Sequence, residues 1–216
     1  MSHTFQIDQC PYNAGEKIYT KKEVTFEPGV TVLVGCNGSG KSTLIRTLHE
    51  KLKRDKVPTL RFDNLHEGGS YARGAAFFRG DYEWGATSFC SSEGENILLN
   101  MGKYARQIGT LCRKATAGQE IWLFFDAVDS GLSVDGVVEL KEDLFALVME
   151  HNPDKEVYIV IAANEYELAR GEDCLDVRTL SHIAFPDYEA YRQFILASRK
   201  KKQARYERAA KKEKKK

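Results

Sequence analysis

Residues 35–43 read GCNGSGKST. The stretch satisfies G-x-x-x-x-G-K-[ST] with Gly35, Gly40, Lys41 and Ser42. It lies between an apolar run, VTVLVG at 30–35, and STLIRTLHEKLKR at 42–54, in which Leu44, Ile45, Leu48 and Leu52 recur at helical spacing. Strand, glycine-rich turn and helix in that order form a P-loop, a cradle for the polyphosphate of a nucleotide. Gly35, Gly38 and Gly40 let the backbone wrap closely, so that the loop from Gly35 through Asn37 and Ser39 to Thr43 turns its N–H groups inward. Lys41 is placed to reach the β and γ phosphates, Ser42 offers a hydroxyl to Mg²⁺, and the helix opening near Lys41 adds its N-terminal dipole.

Outward from this stretch, two further runs are apolar throughout: EIWLFFD at 120–126 and EVYIVIAAN at 156–164. Helical patterns alternate with them, at NILLNMGKYARQIGTLCRK (96–114) and VVELKEDLFALVMEH (137–151). Continuous apolar strands separated by helices are what a parallel sheet covered on both faces requires, so the fold class is α/β. Upstream, TFQID (4–8) and KIYTKKEVTFE (17–27) predict an N-terminal antiparallel β part. After Asp187, YEAYRQFILASRKKK (188–202) predicts a helix with Tyr191, Phe194 and Ile195 on one stripe. The segment 56–89, rich in glycine and aromatics, yields no clear element.

At 216 residues, 42% hydrophobic and 29% charged, the chain has the material of one soluble domain. No apolar run approaches the ~20 residues that span a bilayer, and the N-terminus lacks the basic start and apolar core of a signal peptide. A cytoplasmic protein without membrane insertion is expected. Five widely spaced cysteines with no C-x-x-C fit reduced thiols better than a disulfide framework or zinc site. The net charge of +1 hides an asymmetry: residues 199–216 carry eleven Lys or Arg and two Glu, net +9. Of the chain's 32 basic and 31 acidic residues that leaves 21 and 29 before Arg199, net −8. The expected organisation is a nucleotide-binding domain over 1–198 and a basic tail over 199–216.

Later residues choose among P-loop proteins. SSEGE at 91–95 resembles the signature element of ABC-type ATPases, with Ser92 and Gly94 at the anion-facing positions and Glu93 where a glycine is usual. Alone, the pentapeptide reads equally as a serine-rich helix cap with a capping Glu. Asp126 follows at the end of an apolar strand, SGLS at 130–133 resembles the D-loop of that superfamily, and Asn164 stands where its switch residue falls. The order of all these elements matches over about residues 5–185. DSGLS, NEYE and the ending Y-x-x-Y, F-I, S-R-K-K are similar to the small stand-alone ABC-type proteins encoded by tailed bacteriophages and their hosts. The resemblance implies an ABC-ATPase-like parallel core with a short helical lobe, and ATP and Mg²⁺ as ligands held by Gly35–Thr43 and Asp126. It also implies a homodimer in which Ser92 and Gly94 of one copy close over the γ phosphate held by the other.

Three departures bear on turnover. Ala127 stands where the family keeps the Glu that polarises water, and general-base help is worth about 10² to 10⁴ in rate. Asp129 and Glu165 are the substitute carboxylates within reach, while Asn164 senses phosphate without titrating. No Gln occurs between Gln9 and Gln107, so the Q-loop place falls to Asp63, Asn64 or Glu67. Tyr12 or Tyr19 is the candidate for stacking on adenine, against the alternative that a tyrosine there belongs to the core.

The tail has two readings, a salt-sensitive attachment to DNA or RNA and a solvated basic end; an anionic membrane surface is a weaker third. For the whole chain two readings stand: a slow ATP hydrolase acting on nucleic acid, and a non-hydrolysing, nucleotide-gated adaptor for a protein partner.

Overall fold

The computed structural model describes residues 1–11, 17–64 and 93–213. Strands β1 (His3–Gln6) and β2 (Glu23–Phe26) pair antiparallel as a separate ribbon. A six-stranded sheet follows, built from β3 (Gly29–Val34), β4 (Thr59–Asp63), β5 (Glu120–Asp126), β6 (Glu156–Ala162), β7 (Asp173–Asp176) and β8 (Ser181–Ile183). Its order is β4-β5-β6-β3-β7-β8, parallel up to β7 and antiparallel only at β8. The α/β class, the parallel core and the antiparallel N-terminal part are as expected.

Helices cover both faces, which is why the central strands carry no polar face. Along β5, Ile121, Leu123 and Phe125 enter one cluster and Trp122 and Phe124 the other, the period-2 alternation of a strand. On one side, α1 (Lys41–Arg54) brings Leu44, Ile45, Leu48 and Leu52 against Phe5, Val24 and Phe26 of the ribbon. Trp122 is the hub: its indole stacks on Tyr158 at 4.0 Å and meets Phe5 and Phe26 edge-on at 5.2 and 5.6 Å. On the other side, α2 (Glu93–Lys114) packs Met101, Tyr104, Ile108 and Cys112 onto the sheet.

Three differences from the sequence pattern have visible causes. The expected helix over 137–151 begins earlier and has three parts: α3 (Val134–Glu139), a π-helical stretch Leu140–Phe145, and α4 (Ala146–Glu150). The wide turn still buries Leu140 and Phe145. The strand expected over 17–27 is confined to Glu23–Phe26, because its first half is pinned by a loop instead of a strand. There, Thr20 N–H donates to Arg178 O at 2.9 Å, and the Arg178 guanidinium donates to the carbonyls of Lys17 and Ile18. A short α5 (Tyr166–Ala169) leads to β7, and a long helix, α6 (Tyr188–Glu213), runs unbroken into the basic run as far as Glu213. The boundary drawn at 198/199 therefore falls inside α6.

Candidate functional site

Parallel strands deliver their C-terminal ends to one edge of the sheet, and there a ligand crevice forms. At that edge β3 opens into the glycine-rich loop, β6 into Asn164, β5 ends in Asp126 and β4 in Asp63. The pairing β4–β5 sets Asp63 directly across from Asp126.

Positive φ angles of 151°, 69° and 109° at Gly35, Gly38 and Gly40 curl the loop. A Cβ at Gly40 would lie 2.7 Å from Ile18 Cγ2, and one at Gly35 would lie 2.6 Å from Ser39 Oγ. Only glycine fits these positions. The loop leads into α1 with no side-chain cap, so the first-turn N–H groups face the crevice instead of a capping oxygen. A cavity of about 180 Å³ opens there, lined by residues 37–43 with Asp126, Ala127, Ala162 and Asn164. The Ser39 hydroxyl is buried without a partner among the described residues. A glycine-only curl, uncapped donors and an orphaned hydroxyl around one cavity fit the polyphosphate that the motif predicts.

Lys41 Nζ donates to Gly35 O at 2.7 Å and to Asn164 Oδ1 at 3.1 Å, so the loop lysine and Asn164 already touch. Burial holds the Lys41 ammonium below its ordinary value, against the pull of Asp129, Cys36 and Asp126. Ser42 Oγ donates to Asp126 Oδ1 at 2.8 Å. Arg61 reaches Asp63 Oδ2 at 2.5 Å and Asp126 Oδ2 at 3.5 Å. Burial raises the Asp126 carboxyl, with Asp63 adding to the rise and Ser42 and Arg61 opposing it. A hydroxyl and a carboxylate at this spacing fit the protein's share of a Mg²⁺ site, in which Ser42 and Asp126 would hold the ion.

Ala127 has φ 54°, a left-handed conformation at the position where a general base was expected to be missing. Asp129 is 5% exposed, and its Oδ2 accepts the N–H groups of Asn164 at 2.5 Å and Glu165 at 2.8 Å. Its Oδ1 is buried without a partner among the described residues. Asp129 thus ties the loop after β5 to the loop after β6. The Glu165 side chain is exposed and lines a different cavity, of about 660 Å³, between the loop at Gly35–Asn37 and α6. Asn164 lines both cavities.

The Q-loop candidates divide. Asp63 faces Asp126, whereas Asn64 donates from Nδ2 to Ala127 O at 3.1 Å and Ser130 O at 2.9 Å and so braces the segment behind the acid. Tyr19 is fully buried and its hydroxyl donates to Gly40 O at 3.0 Å, which makes it a prop beneath the phosphate loop and rules out stacking on a base. Tyr12, Glu67 and Ser92 lie outside the described residues, and Gly94 falls in the first turn of α2.

Sequence patterns predicted the first half of α6 but not its contacts with the site. Tyr191 Oη donates to Asn164 O at 2.7 Å, Ser198 Oγ accepts from Cys36 N–H at 3.4 Å, and Lys202 Nζ donates to Asn37 O at 2.7 Å. A lysine inside a basic run gives no local signal of a long-range backbone contact.

The family model described as AAA domain matches residues 15–54, which hold the segment before β2, the glycine-rich loop and α1. A bacterial Atm1-family ABC exporter solved with ATP bound is similar at 18% identity and a TM-score of 0.47. That similarity covers 94% of this chain and 42% of the exporter chain, so this chain spans about two fifths of that length. Among curated proteins there is no match. The P-loop fold itself is carried by the strand, loop and helix and by the strand order above. Among the described residues no helix is long and apolar enough to cross a membrane.

Proposed function

We propose that the protein binds ATP with Mg²⁺ and pairs with a second copy around it, in the manner of ABC-type ATPases, and that it turns the nucleotide over slowly. The Ser42–Asp126 contact at 2.8 Å, on the rim of a glycine-only loop, carries the reading. The loop from Gly35 to Thr43 holds the triphosphate, with Lys41 moving from Gly35 O and Asn164 to the β and γ phosphates. Ser42 and Asp126 would hold Mg²⁺, which when bound supplies charge neutralisation on the phosphates. Ser92 and Gly94 of the second copy close the site.

Slow turnover follows from Ala127, which accepts no proton. Asp129, two residues past Ala127 and bonded to the loop of Asn164, is the carboxylate to take over, and Glu165, exposed and on the neighbouring cavity, is the weaker substitute. Enclosing nucleotide between two copies converts binding energy into dimerisation, so the protein works as a switch even at low rates. The basic half of α6 gives it nucleic acid to act on, in a cytoplasmic, phage or bacterial setting.

The second reading, a nucleotide-gated adaptor that does not hydrolyse, draws on Ala127 alone. Sedimentation velocity with and without ATP–Mg²⁺, run beside a multiple-turnover phosphate-release assay, separates the cases. Nucleotide-dependent dimers with measurable release support the hydrolase. Dimers with no release leave the adaptor, and an unchanged monomer removes the shared site.

A further inference from the structure

Between α6 and the loop after β7 lies a cavity of about 490 Å³, lined by Ser39, Arg178, Lys201, Lys202, Arg205 and Arg208 among others. Among the described lining residues the one carboxylate, Asp176, is already occupied. Its Oδ1 accepts the N–H of Arg178 at 2.9 Å and its Oδ2 the hydroxyl of Thr179 at 2.8 Å. Five cations therefore face one space, with little countercharge left inside it. Lys201 and Arg208 are exposed and make no ion pair among the described residues. The floor of the cavity includes Cys36 and Ser39 of the phosphate loop, and the Ser39 hydroxyl is buried without a partner among the described residues.

Beside this cleft stands Tyr206, 48% exposed. The Lys202 ammonium lies 5.5 Å and the Arg205 guanidinium 5.3 Å from its ring centroid, so two cations pin an open aromatic face. The cationic series continues along the helix: at about 1.5 Å rise per residue, Arg199 to Arg208 spans roughly 14 Å.

We propose that this cleft is a nucleic-acid site: it seats a backbone phosphate of a strand, with Tyr206 as the platform for an adjoining base. A lone phosphate would need neither the ring nor the extended series of charge. A membrane surface would need an apolar stripe, and residues 199–213 offer only Ala204, Tyr206, Ala209 and Ala210 among their charges. Stacking on an aromatic within a basic track is how single strands are held without sequence preference. The site deepens the nucleic-acid half of the function proposed above and does not depend on ATP turnover. Lys202 links the two ligands, because the same ammonium that borders the cleft donates to Asn37 O in the phosphate loop. A strand that draws Lys202 away changes the affinity for nucleotide, and nucleotide changes the affinity for the strand by the same factor.

The test uses the full chain without nucleotide and a fluorescently labelled single-stranded DNA oligonucleotide, titrated by anisotropy over a range of KCl. Arg208→Gln and Lys201→Gln should each weaken binding several-fold and flatten the salt dependence by about one phosphate contact. Tyr206→Ala should cost about tenfold, retained at high salt. Lys200→Gln, an identical charge change off the cavity lining, should cost less than about twofold. Saturating oligonucleotide should shift the affinity for a fluorescent ATP analogue in the wild type and fail to do so in Lys202→Met. Equal losses for Lys200→Gln and Arg208→Gln, or no loss for Tyr206→Ala, would overturn the cleft while leaving nucleic-acid binding intact. Displacement of the oligonucleotide by millimolar inorganic phosphate, or preferential capture by phosphatidylserine vesicles, would overturn it too. Absence of oligonucleotide binding at any salt would remove the nucleic-acid reading itself, and ATP binding, measured separately, would stand.

Discussion

Asp129 Oδ2 accepts two consecutive backbone N–H groups, those of Asn164 and Glu165, across a sequence distance of 35 and 36 residues. One carboxylate thereby fixes where Asn164 stands relative to the loop that follows Asp126, and its second oxygen is buried without a partner among the described residues. Asp129→Ala orphans both donors and should cost about 2–3 kcal/mol in denaturant unfolding. Asp129→Asn keeps an acceptor and should cost less, yet lower the rate of phosphate release at least tenfold with little change in ATP affinity. If both variants lose stability and Asp129→Asn keeps its rate, the residue is a clasp and nothing more.

Asn164 already touches Lys41, the residue proposed to turn to the phosphates. Its amide has one oxygen to hold the lysine and a donor side to meet a terminal phosphate. Asn164→Ala should narrow the preference for ATP over ADP several-fold in calorimetric titration, by removing the group that reads the third phosphate. An unchanged ratio would show that the sensing lies elsewhere.

Burial raises the carboxyl of Asp126. The native state then keeps a proton that the unfolded chain releases. Stability is fullest at low pH and is lost as pH climbs from the unfolded carboxylate value, about 3.9, through the raised native one. Asp126→Asn removes that loss, so without Mg²⁺ at pH 7 its Tm should rise by about a few degrees while Mg²⁺-dependent ATP binding disappears. A lower Tm would mean that the contacts from Ser42 and Arg61 outweigh the burial of the charge. In the wild type, Mg²⁺-supported binding should weaken on acidification as the carboxyl takes up its proton.

Trp122 is fully buried between Tyr158 and the phenylalanines of the β1–β2 ribbon. Trp122→Ala should cost about 3–5 kcal/mol. Since the ribbon docks on this ring, near-ultraviolet circular dichroism should register its loosening before the sheet melts. Coincident transitions would show that the ribbon and the sheet form one cooperative unit.

The glycine-rich loop and the three central strands, β3, β5 and β6, were legible because both are local signals, a motif of fixed spacing and largely apolar runs; β4 (TLRFD) and β7 (DCLD), with polar residues at several positions, were not. Asp126 was legible from its place at the end of one such strand. The role of Asp129 as a clasp was not, since two backbone donors 35 residues away leave no mark on the residues around it. Tyr19 could be weighed as a base platform or as core, and only its bond to Gly40 O decides for core. The basic run was visible as charge. Its folding as the second half of a helix whose first half packs Tyr191, Phe194 and Ile195 against the body was not, because lysines alone specify no partner. The strand expected before Glu23 gave way to Arg178, whose guanidinium holds carbonyls that a neighbouring strand would otherwise have held.

The contacts of α6 with the phosphate loop also order events during synthesis. Cys36 and Asn37 meet Ser198 and Lys202 only after 162 and 165 further residues have been added. A nascent chain emerging amino end first therefore exposes its glycine-rich loop long before the groups that brace it exist. Nucleotide encountered on the ribosome would meet an unbraced cradle, and the pocket matures only once α6 has been translated.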